Sequence, residues 1–208
     1  MARLTWRGGA LLAPVPPALV SCGTGDEVNL LTVAWTGILS TVPPKTYMSV
    51  RPSRHSHKLL CENGEFVIHL PPASLARTVD FCGMYTGAKV NKIEKCNLHL
   101  TESQSVSVPT VLECPLALEC KIFDRVSLGS HDMFLADVTA VTLDESLLDQ
   151  NGTLHMERAN LLAYAHGHYY EIGRQIGKFG FSAVKKNSEK KRRARLAQKA
   201  KSQKQTNE

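Results

Sequence analysis

Apolar and β-branched residues come in short runs along this chain, each closed by glycine, proline or small polar residues. Residues 18–22 (ALVSC) predict a short strand. After the turn-rich Gly23-Thr-Gly-Asp26, residues 29–35 (NLLTVAW) predict a second, with polar Asn29 and Thr32 set into an otherwise apolar run. Residues 46–50 and 65–70 (EFVIHL) predict two more, the latter ended by Pro71-Pro72. Between them, residues 53–62 read as a helix with Ser53 as N-cap and Asn63-Gly64 as its stop. Residues 74–82 read as a second helix, with Leu75, Val79 and Cys82 at helical spacing. The second half is strand-rich. Residues 116–123 and 133–143 flank a turn at 126–130 and predict an antiparallel hairpin, and 169–172 predict a late strand. Many antiparallel strands with two short helices, without strict strand–helix alternation, predict a mainly β fold, barrel or α+β, rather than a doubly wound sheet.

Charge changes the picture at one end only. Of the 25 Lys and Arg, ten fall in residues 185–208 against two acids, leaving fifteen against seventeen Asp and Glu in the body. The net charge of +6 therefore belongs to the tail, which is expected to be disordered, and the body is slightly acidic. The expected organisation is one domain over 1–184 and a basic tail over 185–208. Lys190-Lys-Arg-Arg193 and Arg195 are dense enough to attract phosphates. No aromatic interleaves with them, so the tail reads as a solubilising segment and nucleic acid is not the expected partner. No run is long enough for a transmembrane helix. Pro14, Pro16 and Pro17 interrupt the apolar stretch 10–20, which argues against a signal-peptide core. The six cysteines show no CxxC and no small-domain framework, which favours free thiols and a cytoplasmic location.

Glycine-rich phosphate loops, HExxH and GxSxG are all missing. What stands out instead is Ser49-Val-Arg-Pro-Ser-Arg-His-Ser-His57 at a strand-to-helix junction. A helix N-terminus attracts anions, and Arg51, Arg54, His55 and His57 add donors and charge around Ser53 and Ser56. The pattern fits a phosphate cradle, and it equally fits a capped helix with a solvated basic first turn. Three further segments carry weaker signals. Residues 81–92 form a glycine-punctuated loop with Lys89 and Lys92. Leu128-Gly-Ser-His131-Asp132 places an imidazole at a hairpin turn. Residues 163–170 are dense in Tyr and His, including Tyr164, and suit a stacking wall or simply the start of a packed strand. His55 and His57, or His166 and His168, would need a third ligand that does not follow in sequence, so no metal is expected.

In order along the chain, NLLTVAW (29–35), SVRPSRHSH (49–57), GEFVIHL (64–70), DFCG (80–83), LGSHD (128–132) and GKFGFS (177–182) resemble the flavin reductase-like family, and its flavoredoxin branch in particular. The resemblance implies an FMN-binding split β-barrel, usually a homodimer with the flavin near the subunit interface. It further implies that Asn29, Thr32 and Trp35 line the isoalloxazine, and that the loop from Arg51 through Ser53, Arg54 and Ser56 holds the phosphate. Cys82, Gly83, Lys89 and Lys92 would belong to a loop that closes over the flavin. His131 and Tyr164 would lie near the ring or the partner subunit. No protein nucleophile is expected, because flavin carries the chemistry, with Lys92 or His131 as candidates for tuning it. The expected activity is that of an NAD(P)H-dependent FMN oxidoreductase, or of an electron carrier fed by a redox partner. The alternative is a non-catalytic flavin-binding module, a sensor or store.

Overall fold

The computed structural model describes residues 1–183; the basic segment expected from 185 lies outside them. Seven antiparallel strands form one sheet in the order β2-β1-β5-β8-β9-β4-β3. The strands are β1 (Ala18–Cys22), β2 (Asn29–Val33), β3 (Thr36–Thr41), β4 (Pro44–Val50), β5 (Glu65–Leu70), β8 (Leu116–Ser127) and β9 (Asp132–Leu143). Two small ribbons accompany it: β6 (Leu100–Thr101) with β7 (Thr110–Val111), and β10 (Leu162–Ala165) with β11 (His168–Glu171). Met1–Ile172 is one compact unit. A second begins at Gly173, and its described part ends in a 3₁₀ turn, Phe181–Ala183.

The period of two along the strands sorts the core into two sides. Ala18, Val20 and Cys22 of β1 join Leu31 and Val33 of β2, Phe66 and Ile68 of β5 and Phe134 of β9 in the main core. Helix α1 (His55–Asn63) adds Leu59 and Leu60 to that core. The intervening Leu19 and Leu30 point the other way and pack with Cys82 of helix α2 (Ala76–Met84) and with Leu98, Val111 and Cys114. β1, paired on both edges and packed on both faces, is thus buried at every position. The fold is mainly β with short helices and forms an open antiparallel sheet rather than a closed cylinder.

Two local differences from the sequence reading have physical causes. Ser53 is not the cap of α1. Arg54 N–H donates to the Arg51 carbonyl at 2.9 Å, so Arg51 to Arg54 close a turn around Pro52 and the helix starts at His55. Its far end is as expected, with Gly64 left-handed at φ 67°. β3 was not anticipated. It is an edge strand paired only with β4, and its Gly37, Ser40 and Thr41 break the apolar alternation.

His69, fully buried on β5, is held in one tautomer. Its Nε2 accepts from Val111 N–H at 2.9 Å, so the proton sits on Nδ1 and is donated to the Leu19 carbonyl at 3.0 Å. Burial, which outweighs the carbonyl's help, pushes its pKa down to about 4.

Candidate functional site

The chain leaves β4 at Val50, turns through Arg51–Arg54 and enters α1, and this turn lies beside the start of β2. Ser56, 2% exposed, accepts a 2.7 Å hydrogen bond from Asn29 Nδ2, which pins the first turn of α1 to β2. Gly87, in the loop after α2, rests on the same asparagine. A Cβ there would stand 2.1 Å from Asn29 Oδ1, so no larger residue allows this approach. The loop runs into a short helix, α3 (Lys92–Lys95), started by Asn91, whose side chain accepts from Glu94 N–H at 3.2 Å. This places Lys92, 4% exposed, with its ammonium donating to the carbonyls of Leu30 (2.6 Å) and Cys82 (2.8 Å). Burial lowers its pKa, and the nearby Arg54 charge pushes the same way, while the neighbouring thiols oppose it. Among the described residues no carboxylate forms an ion pair with Lys92.

These groups surround a cavity of about 370 Å³. Arg51, Ser53, Arg54, His55 and Ser56 line it from the α1 entrance, Tyr85, Thr86 and Gly87 from the loop after α2, together with Lys92. Arg51, Arg54 and Lys92 bring three cationic side chains to its lining and Ser53, Ser56, Tyr85 and Thr86 four hydroxyls, and no acid lines it. A second cavity, of about 170 Å³, shares Arg51 and Arg54 with the first and extends to Thr32, Trp35, Ser49 and His131. His131 carries a pKa lowered by burial and by the Arg51 charge, and its Nδ1 meets Ser130 Oγ at 2.9 Å. A third, of about 320 Å³, is also bordered by Trp35, with Tyr164, His166 and the N-terminal segment Ala10–Ala13.

Of the residues singled out in the sequence, the structure brings Arg51, Ser53, Arg54, Ser56 and Lys92 together at the first cavity and Thr32, Trp35 and His131 at the second. Asn29 stands behind Ser56. Cys82 and Gly83 are behind the site on α2 and border neither cavity. Cys82 is buried, its thiol is pushed up to about 12 by burial, and its carbonyl holds Lys92. Gly83 faces Thr32, whose hydroxyl donates to the Val79 carbonyl. Lys89 is exposed in a turn closed by its N–H to the Thr86 carbonyl, and Tyr164 borders only the third cavity, tilted against Tyr169. Tyr85, Thr86 and Gly87 were not named individually. The glycine in the middle of that loop was the one available signal.

This arrangement, an open antiparallel β-sheet with a cationic cavity at a strand-to-helix turn, is that of a split-barrel domain. The chain belongs to the flavin reductase like domain family, whose model matches residues 11–173. A flavoredoxin of Desulfovibrio vulgaris (Miyazaki F) superposes with a TM-score of 0.81 at 26% identity, covering 88% of this chain and 100% of that one. An FMN-binding protein from Thermus thermophilus superposes with a TM-score of 0.72 at 26% identity, covering 85% and 99%. By sequence, an uncharacterised protein of Archaeoglobus fulgidus is 36% identical over 138 residues, which is 66% of this chain and 77% of the relative.

Proposed function

We propose that this protein is an FMN-dependent redox protein of the flavin reductase and flavoredoxin type, with the flavin phosphate in the arginine- and lysine-lined cavity. The observation that carries this reading is Lys92. A buried ammonium usually has a carboxylate against it; this one has two carbonyls and a cavity that holds further cations and hydroxyls but no acid. A phosphate dianion is the group such a donor set fits, and phosphates at helix starts are a common pairing.

In this reading Arg51, Ser53, Arg54 and Lys92 hold the phosphate. Asn29 and Ser56 keep the α1 entrance fixed against β2. Thr32, Trp35 and His131 border the ring, in the cavity that shares both arginines with the phosphate site. Cys82 and Gly83 serve from behind, one through its carbonyl on Lys92 and the other by packing on Thr32. Lys89 belongs to the loop that covers the site, and Tyr164 to the neighbouring cavity where an electron donor or acceptor would approach Trp35. FMN, when bound, supplies the hydride and single-electron chemistry, so the residues bind, orient and exclude water and need no nucleophile of their own. NAD(P)H or a protein redox partner is the proposed electron source, and a homodimer the proposed assembly. Among the described residues no helix is long and apolar enough to cross a membrane.

The test is a titration of flavin-free protein with FMN and with riboflavin, which lacks the phosphate. Each charge-assisted hydrogen bond contributes about 1.5–3 kcal/mol, so riboflavin should bind about 100-fold more weakly or worse. Equal affinities, or no binding of either, overturn the assignment. Steady oxidation of NADH or NADPH with excess FMN then marks a reductase, and binding without turnover favours a non-catalytic flavin-binding module, a sensor or store.

A further inference from the structure

Beside the flavin site, and bordering neither of its cavities, lies a second cluster that the function above does not use. Cys61 and His57 are four residues apart on α1 and so share one face of the helix. Cys61 is exposed, and its sulfur stands 3.8 Å from Nδ1 of His57. The other imidazole nitrogen, Nε2, meets Asp132 Oδ2 at 2.8 Å, and the ring edge packs on Phe134 with centroids 5.4 Å apart. The His57 and Asp132 side chains are only 13% and 11% exposed. Arg125, from the facing strand β8, donates from Nη1 to the Cys61 sulfur at 2.9 Å, and its Nε lies 4.0 Å from Asp132.

The chemistry follows from these contacts. The hydrogen bond from His57, with help from Ser127 and Arg125, holds the Asp132 carboxyl below the ordinary range, so it is a carboxylate at neutral pH. A carboxylate accepting from Nε2–H leaves Nδ1 with its lone pair toward the thiol. The sulfur therefore has a base on one side and a guanidinium on the other, with a third group orienting the base, the arrangement that activates a nucleophile. Cys22, Cys82, Cys114 and Cys120 are instead buried, their thiols pushed up to about 11 or 12 by burial. The contacts run in a line from sulfur to carboxylate, and among the described residues no three such groups converge as a metal cage.

We propose that Cys61 is a nucleophilic thiol site that exchanges with small disulfides, with His57 as its base and Asp132 as a positioning residue. The Cys61 proton passes to Nδ1 of His57, and the sulfur attacks one sulfur of the disulfide R′S–SR′. The Cys61–S–SR′ bond forms as the S–S bond breaks. The departing R′S⁻ takes the proton from His57, so that Cys61–SH and R′SSR′ become Cys61–SSR′ and R′SH. Cys61 is oxidised and one half of the small disulfide is reduced.

The experiment treats the full chain, free of flavin, with 5,5′-dithiobis(2-nitrobenzoate) and follows the coloured thiolate released, with N-acetylcysteine as the unassisted reference. The native protein should react about tenfold faster than the reference at neutral pH. Peptide mapping should place the first mixed disulfide on Cys61. In His57→Gln the curve of rate against pH should fall onto that of N-acetylcysteine, and Asp132→Asn and Arg125→Gln should each slow the exchange. A native rate no faster than the reference, a first label on half-buried Cys96, or an unchanged rate in His57→Gln overturns the proposal. The native-to-reference comparison stands even if a variant fails to fold, and the outcome does not depend on whether FMN binds.

Discussion

Glu119 and Lys92 are both buried charges, and their surroundings differ in one respect that separates structure from function. Glu119, on β8, has no exposure, and its two oxygens accept four hydrogen bonds: Gln104 N–H (3.0 Å), Thr142 hydroxyl (3.1 Å), Ser105 N–H (2.6 Å) and Ser105 hydroxyl (2.7 Å). Burial alone would raise its pKa; these donors outweigh that and bring it below the ordinary value. The carboxylate is saturated by its own chain and clamps the segment around Gln104 and Ser105 to the sheet. Lys92 has three donors, uses two on carbonyls, and adjoins a cavity lined by other cations. A buried charge completed from within is a fastener; one left with a free donor beside a cavity is, in the proposed reading, an anchor for a ligand.

The comparison can be broken most severely at Glu119. Glu119→Ala leaves two backbone N–H groups unpaired and should cost about 3–5 kcal/mol in urea unfolding, with FMN affinity of the folded fraction unchanged. A loss under about 1 kcal/mol would mean that water replaces the carboxylate and that the clamp is not structural. His69 sharpens the point, because it is saturated only when neutral. Its folded pKa of about 4 lies below the unfolded value near 6.5. The unfolded chain therefore takes up the proton first, and stability falls as pH drops through 6.5 and goes on falling to about 4. The loss should reach about 3 kcal/mol. Denaturant titrations across that range check it, and His69→Gln should remove this component of the slope.

Lys92→Met should do the reverse of Glu119→Ala. FMN affinity drops about 10- to 100-fold, while the flavin-free protein keeps its stability or gains some, since a desolvated cation has been replaced by an apolar chain. Destabilisation without loss of FMN affinity would move Lys92 into the class of Glu119. The smallest effect belongs to Asn29→Ala, which frees the Ser56 hydroxyl. It should cost about 1 kcal/mol of stability and only a few-fold in FMN affinity, because Asn29 supports the site from behind.

Strands β1 and β5 were legible because burial on both faces leaves nearly unbroken apolar runs, as in ALVSC and EFVIHL. Edge strand β3, with half its partners and a polar pattern, carried no such mark. The turn proposed to hold phosphate was legible from its density of arginine and hydroxyl side chains, but not the conformation of Ser53, which a single proline turn displaced from the cap position. Lys92 could be named from the loop and the family resemblance. Its burial could not, since Lys89, Lys92 and Lys95 look alike in sequence and only the fold distinguishes them. Glu119 escaped notice altogether, because its partners lie 14 to 23 residues away and carry no local pattern. For the same reason His57 and Cys61 are visible as a helical pair, whereas Asp132, 75 residues from His57, is not.

Helix α1 carries Ser56 to the cavity lined by Arg51, Arg54 and Lys92 and Cys61 onto open surface, five residues and so about 7.5 Å apart along the axis. A fluorescent dye coupled to that sulfur would sit within easy energy-transfer range of a yellow chromophore yet outside its pocket. The molecule thus comes with a built-in attachment point for a sensor that dims as coenzyme arrives.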